Sequence, residues 1–135
     1  MPTLPILGPV SPCYISADIP GTIRFYQDAL AFELRFAEPP EDPFFVIVGR
    51  NAAQLFFKAV GDAVPAQPNF TRHHELGWDG FIYVGTPDAL AEEFATRQVP
   101  FHKPVRDRQD GLRGFEIADP NGYIFFFGCP IPELS

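Results

Sequence analysis

The most constraining feature of this sequence is an internal repeat with a period of about 70 residues. Asp18 and Thr86, which each begin a predicted helix, lie 68 positions apart, and Asn51 and Asn121 lie 70 positions apart. The segment that starts at Asn51, NAAQLFF, is similar to the segment that starts at Asn121, NGYIFFF. A short period would indicate a solenoid, whereas two copies of this size predict a pseudo-symmetric pair of modules that enclose a cleft.

Both copies are predicted to contain the same five elements, in the order strand, helix, strand, strand, strand. Asp18 and Thr86 are typical helix caps, and each is followed by a proline in the first turn. Apolar runs and turn signals predict strands at 10–17, 33–37, 44–49 and 53–59, then at 78–84, 101–105, 113–118 and 123–128. The predicted modules are residues 9–59 and 77–129, joined by a linker at 60–76 within a single compact unit, 1–135.

The charge balance argues against two classes of partner. Lys and Arg number 10 against 17 Asp and Glu, so the formal net charge is −7, and no stretch has the basic density that nucleic acid binding needs. No apolar run reaches the 18 or so residues of a membrane span, and the start lacks the features of a signal peptide. We therefore expect a cytoplasmic protein with no nucleic acid or membrane partner, in which Cys13 and Cys129 are free thiols.

The aromatic content predicts a binding cavity or an interface. The chain has 15 Phe residues and a 15% aromatic share, which is more than a core of this size requires. It also has 16 Pro residues, which indicates many short elements rather than a helical bundle.

Two segments resemble a known family. The segment 18–34, DIPGTIRFYQDALAFEL, resembles the first helix of the vicinal oxygen chelate superfamily, and the segment 114–127, GFEIADPNGYIFFF, resembles its closing hairpin with the pattern F-x-x-x-DPxGN. The superfamily includes glyoxalase I, extradiol dioxygenases, and fosfomycin- and bleomycin-resistance proteins. The resemblance implies an α+β fold of two βαβββ modules in tandem, whose sheets curl around a cleft. It also implies a homodimer, because this cleft is commonly completed or swapped between two subunits.

The resemblance also implies where a metal would bind. Metal enzymes on this fold place ligands on the first and fourth strands of each module, and the matching positions here are Ser11, Phe56, Asp79 and Phe126. Of these, only Asp79 is a suitable ligand, whereas a transition metal typically needs three. We therefore expect no metal, no cofactor and no catalytic residue, as in the metal-free bleomycin-resistance-like members. A metal site at unexpected residues, such as His73, His74 or His102, is the alternative, although solvated loop histidines are the more common case.

Strand alternation predicts which side chains face the cleft. The predicted pocket is aromatic with a few acids, and such a lining suits a flat apolar or cationic molecule. Its predicted ligand-binding residues are Phe56, Trp78, Asp79, Phe81, Tyr83, Glu116 and Phe126. The alternative is that these rings only fill the core. The basic residues at 103–113 alternate with acids, and we interpret them as a solvated surface rather than an anion-facing mouth of the cleft.

Three functional hypotheses follow. The first is a non-catalytic binder of a small aromatic or cationic molecule, with antibiotic sequestration as a specific case. The second is a glyoxalase-like lyase or dioxygenase that uses non-standard metal ligands. The third is an orphan structural domain that acts only through protein contacts. The sequence indicates neither the ligand nor the pathway.

Overall fold

Two four-stranded sheets form the framework of the protein. A computed structural model describes residues 3–61 and 64–132. The first sheet contains β1 (Cys13–Ile15), β2 (Glu33–Glu38), β3 (Phe45–Arg50) and β4 (Ala53–Lys58). The second contains β5 (Gly80–Tyr83), β6 (Phe101–Asp107), β7 (Leu112–Ala118) and β8 (Ile124–Pro130).

The two sheets have the same topology. The strand order is β1-β4-β3-β2 in one and β5-β8-β7-β6 in the other. In each sheet the first strand pairs in parallel with the fourth, and the remaining pairs are antiparallel. The prediction of an α+β fold with two tandem βαβββ modules is confirmed, and the sheets are curled without closing into a barrel.

Each module has one main helix between its first two strands. α1 (Ile19–Arg24) continues as a π-helical turn over Phe25–Ala29, and the Asp18 side chain accepts a hydrogen bond from the backbone N–H of Gly21 at 3.0 Å, as its predicted capping role requires.

The second module and the segment before it differ from the prediction in two details. α3 (Pro87–Thr96) begins after Thr86, but the Thr86 side chain makes no capping hydrogen bond, so the predicted hydroxyl cap is wrong. The segment 60–76 contains a short helix, α2 (Asn69–Arg72). None of the helices in the described ranges is long and apolar enough to cross a membrane.

The first predicted strand is longer than the observed one. The sequence predicts a strand over residues 10–17, whereas β1 covers only Cys13–Ile15. Pro12 has no N–H to donate to a neighbouring strand, although its carbonyl accepts a hydrogen bond from the N–H of Phe56 at 2.9 Å. The sheet therefore begins just after this proline.

The helix-facing sides of both sheets share a single apolar core. Phe57 of β4 and Phe125 of β8 are fully buried, and Tyr14 contacts both rings across the junction of the modules. The Tyr14 hydroxyl also donates to the carbonyl of Asp79 at 2.7 Å. Because one core spans the two modules, their relative position is fixed by packing.

A buried polar cluster joins the closing turn of the second module to α1 of the first. The Tyr26 hydroxyl donates to Asp119 Oδ2 at 2.8 Å, and Asp119 Oδ1 accepts the backbone N–H groups of Asn121 and Tyr123 at 2.9 and 3.0 Å. The Asn121 side chain in turn donates to the Thr22 hydroxyl at 3.0 Å. Burial raises the pKa of Asp119, although these hydrogen bonds oppose the shift. The DPxGN-like turn therefore has a structural role.

Candidate functional site

A cleft of about 680 Å³ lies over the face of the second sheet that is turned away from the core. One wall comes from the segment before β5, including Phe70, His74 and Trp78, and the other comes from β6 and β7. A cavity of this size matches the range of small-molecule sites. The complete lining is Phe70, His74, Glu75, Leu76, Gly77, Trp78, His102, Lys103, Arg108, Glu116, Ala118, Gly122 and Ile124.

One row of side chains across the second sheet sets the chemistry of this cleft. Strand register places Lys103 opposite Glu116, Glu116 opposite Phe126, and Phe126 opposite Phe81. Residues directly opposite each other on neighbouring strands point to the same face of a sheet. The row therefore runs from a cation through a carboxylate to two aromatic rings.

Three aromatic rings are stacked at one end of this row. Trp78 lies on Phe126 with ring centroids 4.6 Å apart and an interplanar angle of 23°, and Phe81 lies 5.6 Å from Phe126 at 16°. Phe126 is only 1% exposed, whereas Trp78 lines the cleft. The stack therefore presents an indole face with a phenyl ring behind it.

Arg108 covers the aromatic stack. It follows β6, and its guanidinium carbon lies 4.9 Å from the Trp78 ring centroid and 5.3 Å from that of Phe126. Both distances are within the range of a cation–π interaction. The guanidinium also forms ion pairs with Asp110 at 3.1 Å and with Glu116 at 3.3 Å.

Glu116 places a buried carboxylate at the floor of the cleft. The residue is 3% exposed, and its Oε2 accepts from Arg108 Nη1. Its Oε1 has no hydrogen-bond partner among residues 3–61 and 64–132. Since every fully buried side-chain polar atom in those ranges has a partner, Oε1 keeps access to the open space of the cleft. A carboxylate oxygen in this position can accept a hydrogen bond from a ligand.

The seven residues predicted to bind a ligand fall in three places. Trp78 and Glu116 line the large cleft, and Phe81 and Phe126 complete the stack at its side. A separate cavity of about 440 Å³, where β1 and β5 approach each other, is lined by Asp79, Phe81 and the 68% exposed Tyr83.

Phe56 lies on the first sheet, where its ring packs against Phe45 at 5.4 Å. Asp79 has both carboxylate oxygens occupied, because they accept the backbone N–H groups of Asn69 at 2.7 Å and Ile124 at 2.8 Å. Its carboxylate therefore ties α2 to β8. Phe56 and Asp79 thus lie outside the cluster formed by Trp78, Phe126 and Glu116.

The residues at the family's metal positions do not fit a transition metal. The Ser11 hydroxyl accepts from the Gln54 amide at 3.3 Å, the Asp79 oxygens bind backbone N–H groups, and the two remaining positions are Phe56 and Phe126. Phenyl rings have no donor atom for a metal. No group of three or more His, Cys, Asp or Glu side chains in the described ranges has the arrangement of a metal site.

Comparison with known proteins gives the family. The family model of the Glyoxalase/Bleomycin resistance protein/Dioxygenase superfamily matches residues 8–127. The chain belongs to this superfamily. No curated protein sequence matches it significantly.

Several solved structures are similar to this member of the superfamily. The bleomycin-binding protein of Streptomyces verticillus, solved with copper(II)-bleomycin, is 26% identical, with a TM-score of 0.67 over 97% of this chain and 100% of that chain. A genomically encoded fosfomycin resistance protein of Listeria monocytogenes is 18% identical, with a TM-score of 0.63 over 93% and 92%. A lactoylglutathione lyase of Agrobacterium tumefaciens is 20% identical, with a TM-score of 0.61 over 89% and 92%. At 18% and 20% identity, the last two similarities show only a shared fold.

Sequence reasoning missed several residues of the cleft. It interpreted Lys103 and Arg108 as part of a solvated surface, and it treated the segment that carries Phe70 and His74 as a linker. Strand alternation from Phe101 would place His102 opposite Glu116, and only a register shift between Phe101 and Lys103 places Lys103 there. No local pattern indicates Arg108, because its side chain reaches the stack from a turn.

Proposed function

We propose that this protein binds a small planar aromatic molecule in the cleft of its second sheet and does not transform it chemically. The observation that carries the proposal is the stack of Trp78 on Phe126 beside the buried carboxylate of Glu116. An aromatic wall with one convergent charged group is the usual composition of a small-molecule site. Sequestration of an aromatic antibiotic is the specific form that we favour.

Two further observations support binding rather than metal-dependent catalysis. The donor atoms at the family's metal positions are missing or already hydrogen bonded, as in the case of Asp79. The bleomycin-binding protein of Streptomyces verticillus, at 26% identity, covers nearly the whole chain. A lyase or dioxygenase would need ligands from other residues, and no arrangement in the described part of the chain favours them.

The test of this proposal uses the single tryptophan of the chain as a reporter. Proflavine, a flat tricyclic cation, and bleomycin are titrated against the protein by isothermal calorimetry, and Trp78 fluorescence is followed in parallel. We expect saturable binding of proflavine with quenching of Trp78, and a loss of affinity of about tenfold in Trp78→Ala. Tyr83→Ala is the matched control, because Tyr83 is exposed and outside the stack.

Two results would contradict the proposal. One is the absence of saturable binding by any planar aromatic probe. The other is a stoichiometric transition metal in protein purified without chelator, if that metal disappears in an Asp79→Ala variant. The first would favour the purely structural role, and the second would favour the enzyme.

We also propose that the protein acts as a homodimer. Large apolar side chains near the start of the chain are almost fully exposed, including Leu4 at 88%, Ile6 at 96% and Leu7 at 90%. On the first sheet Phe36 is 47% exposed as well. Large exposed apolar side chains of this kind are typical of an interface, and we expect a second copy of the chain to cover them.

Sedimentation velocity tests the dimer. We expect the full chain to sediment as a dimer and a variant with Leu4, Ile6 and Leu7 all changed to Ser to dissociate at a higher concentration. A full chain that is monomeric at every accessible concentration would contradict the proposal.

A further inference from the structure

The guanidinium of Arg108 already occupies the aromatic surface that a ligand would use. It lies over both Trp78 and Phe126, and the Phe126 side chain is only 1% exposed. A flat, delocalised cation over a ring face is the same kind of group that an aromatic cage binds from solution. The site therefore contains a cation supplied by the chain itself.

The contacts of Arg108 with its two carboxylates are unequal. Asp110 binds the guanidinium through Nε, at 3.2 and 3.1 Å to its two oxygens, and through Nη2 at 3.1 Å. Glu116 accepts only from Nη1, at 3.3 Å. Arg108 can thus break its ion pair with Glu116 and remain paired with Asp110. Glu116, which is 3% exposed, would then have no partner. Leaving a buried carboxylate unpaired is costly, so Arg108 leaves only if another cation replaces it.

The charge of the cluster favours a cation as the replacement. Arg108 contributes one positive charge, and Asp110 and Glu116 contribute two negative charges, so the cluster has a formal charge of −1. Lys103 lies opposite Glu116 in the strand register, but it is exposed and forms no ion pair within residues 3–61 and 64–132. An exposed, unpaired lysine is screened by solvent and offsets little of the field at a buried carboxylate.

We propose that the Arg108 guanidinium occupies the position that the cationic group of the ligand takes on binding. The ligand is then a planar aromatic cation that displaces Arg108 from Trp78, Phe126 and Glu116. This inference rests on the proposed function and adds to it the charge of the ligand and the residue that competes with it. On binding, the ligand cation pairs with Glu116, its ring lies on Trp78, and Arg108 remains paired with Asp110. Both carboxylates then keep a partner throughout the exchange.

The role proposed for Arg108 and the role of an ordinary ligand contact predict opposite changes in ligand affinity when Arg108 is removed. If Arg108 is a competitor, its removal strengthens the binding of a cation. If Arg108 is instead a contact for an anionic ligand, its removal weakens binding. The direction of the change in affinity in Arg108→Gln therefore separates the two roles.

The experiment measures dissociation constants of three acridines of similar shape by fluorescence anisotropy near neutral pH. Proflavine is the cation, acridine is the uncharged probe, and acridine-9-carboxylate is the anion. We expect the wild-type protein to prefer proflavine, and Arg108→Gln to bind proflavine about tenfold more tightly, since one cation–π contact and one ion pair no longer compete. The affinity for acridine should rise less, because acridine gains the ring surface but has no charge for Glu116.

Two further variants show whether a change in folding or in net charge, rather than the loss of Arg108 itself, alters proflavine affinity. Arg108→Lys keeps the charge but loses the planar fork, and we expect a gain in proflavine affinity of about threefold. Arg106→Gln is the matched control, because Arg106 is exposed, has no ion pair in the described part of the chain and does not line the large cleft. It removes the same charge two residues away, and we expect no change beyond twofold. Thermal unfolding of each variant confirms that it is folded.

The possible outcomes distinguish this inference from the proposed function. If no acridine binds to the wild type or to Arg108→Gln, the proposed function fails and this inference fails with it. If all three probes bind alike and Arg108→Gln changes none of them, aromatic binding stands and the displacement of Arg108 is wrong. If the anion is preferred and Arg108→Gln loses it, the role of Arg108 is the reverse of the one proposed.

Discussion

Equivalent rows of side chains cross the two sheets, and the residues in these rows differ in charge. In the first sheet the strand register aligns Cys13, Phe56, Ile47 and Phe36. In the second, the equivalent row is Phe81, Phe126, Glu116 and Lys103. The aromatic residue on the fourth strand is common to both, but the residue beside it is aliphatic in one module and a carboxylate in the other.

Under the proposed function, this difference gives the duplicated fold one binding site rather than two. Phe56 packs edge-on to Phe45 at 86°, which is a typical packing arrangement. Phe126 instead stacks on both Trp78 and Phe81, which also contact each other at 5.9 Å, and the Arg108 guanidinium lies 5.3 Å from its ring centroid. The backbone of each module supplies the same platform, and the side chains next to the aromatic residue decide whether it can recognise charge.

The closing turns differ between the modules as well, and this contrast gives the largest expected effect. The Asp119 carboxylate accepts four hydrogen bonds in a buried setting, whereas the turn of the first module has the exposed Asn51 with a positive φ of 54°. We expect Asp119→Ala to lower the free energy of unfolding by about 3 kcal/mol, because it leaves buried donors without an acceptor. Asn51→Ala should cost only about 1 kcal/mol, from the backbone strain. Urea denaturation measures both, and equal losses would contradict the contrast.

The second prediction concerns the residue that most distinguishes the two rows. Glu116→Gln keeps the shape of the side chain but removes the charge, and we expect the affinity for proflavine to fall about tenfold. Ile47→Val, at the equivalent position of the first sheet, should leave that affinity unchanged. Anisotropy titrations provide the measurement. An unchanged affinity in Glu116→Gln would show that charge recognition does not reside in this row.

A third prediction compares the two equivalent phenylalanines. Phe126→Leu removes a ring behind Trp78, so we expect proflavine affinity to fall about threefold, whereas Phe56→Leu should not change it. Both variants should lose about 1 kcal/mol of stability, since each replaces a packed ring with a smaller side chain. If Phe56→Leu weakens proflavine binding as much as Phe126→Leu, the first sheet takes part in the site.

The smallest expected effect lies at an ion pair between the modules. Arg50 of the first module forms a bidentate pair with Glu93 of α3 at 2.7 and 2.9 Å. The hydrogen bond from Arg50 is the main cause that lowers the pKa of Glu93 from 4.5 to about 2. A lowered carboxyl pKa stabilises the folded state above pH 4.5, and this contribution is lost as the pH falls from 4.5 towards 2.

Glu93 also pairs with Arg97 of the same helix region, and because these groups are partly exposed, we expect the two ion pairs together to contribute about 0.5 kcal/mol. The difference in unfolding free energy between wild type and Glu93→Gln should shrink over that acidic range. Asp119 does not interfere with this test, because it is present in both proteins and cancels in the difference. A difference that stays constant down to the most acidic pH at which the protein folds would contradict the assignment.

The topology was predictable from the sequence because its signals are local. The Asp18 cap and the turn at Asp119 each lie within a short segment that describes its own element. The repeat of about 70 residues then indicates that the second module has the same order of elements as the first. Strand alternation also identified Glu116 and Phe126 as neighbours on one face, because the period of a strand is fixed.

Other features of the site depend on contacts between distant segments. Asp79 was a reasonable candidate for the cleft, but its oxygens are occupied by N–H groups of Asn69 and Ile124, which no spacing rule brings near it. Arg108 lies in a turn, and only the folded chain shows that its side chain extends over Trp78. The sequence therefore predicts the platform of the site more readily than the group that covers it.

A crystal structure of the protein with bound proflavine tests the central claim most directly. We expect density for the dye on the indole face of Trp78, with a ring amino group near Glu116 Oε1 and with Arg108 moved towards Asp110. Density for the dye on the first sheet, beside Phe56, or an undisturbed Arg108 guanidinium over Trp78 in a saturated complex, would contradict it.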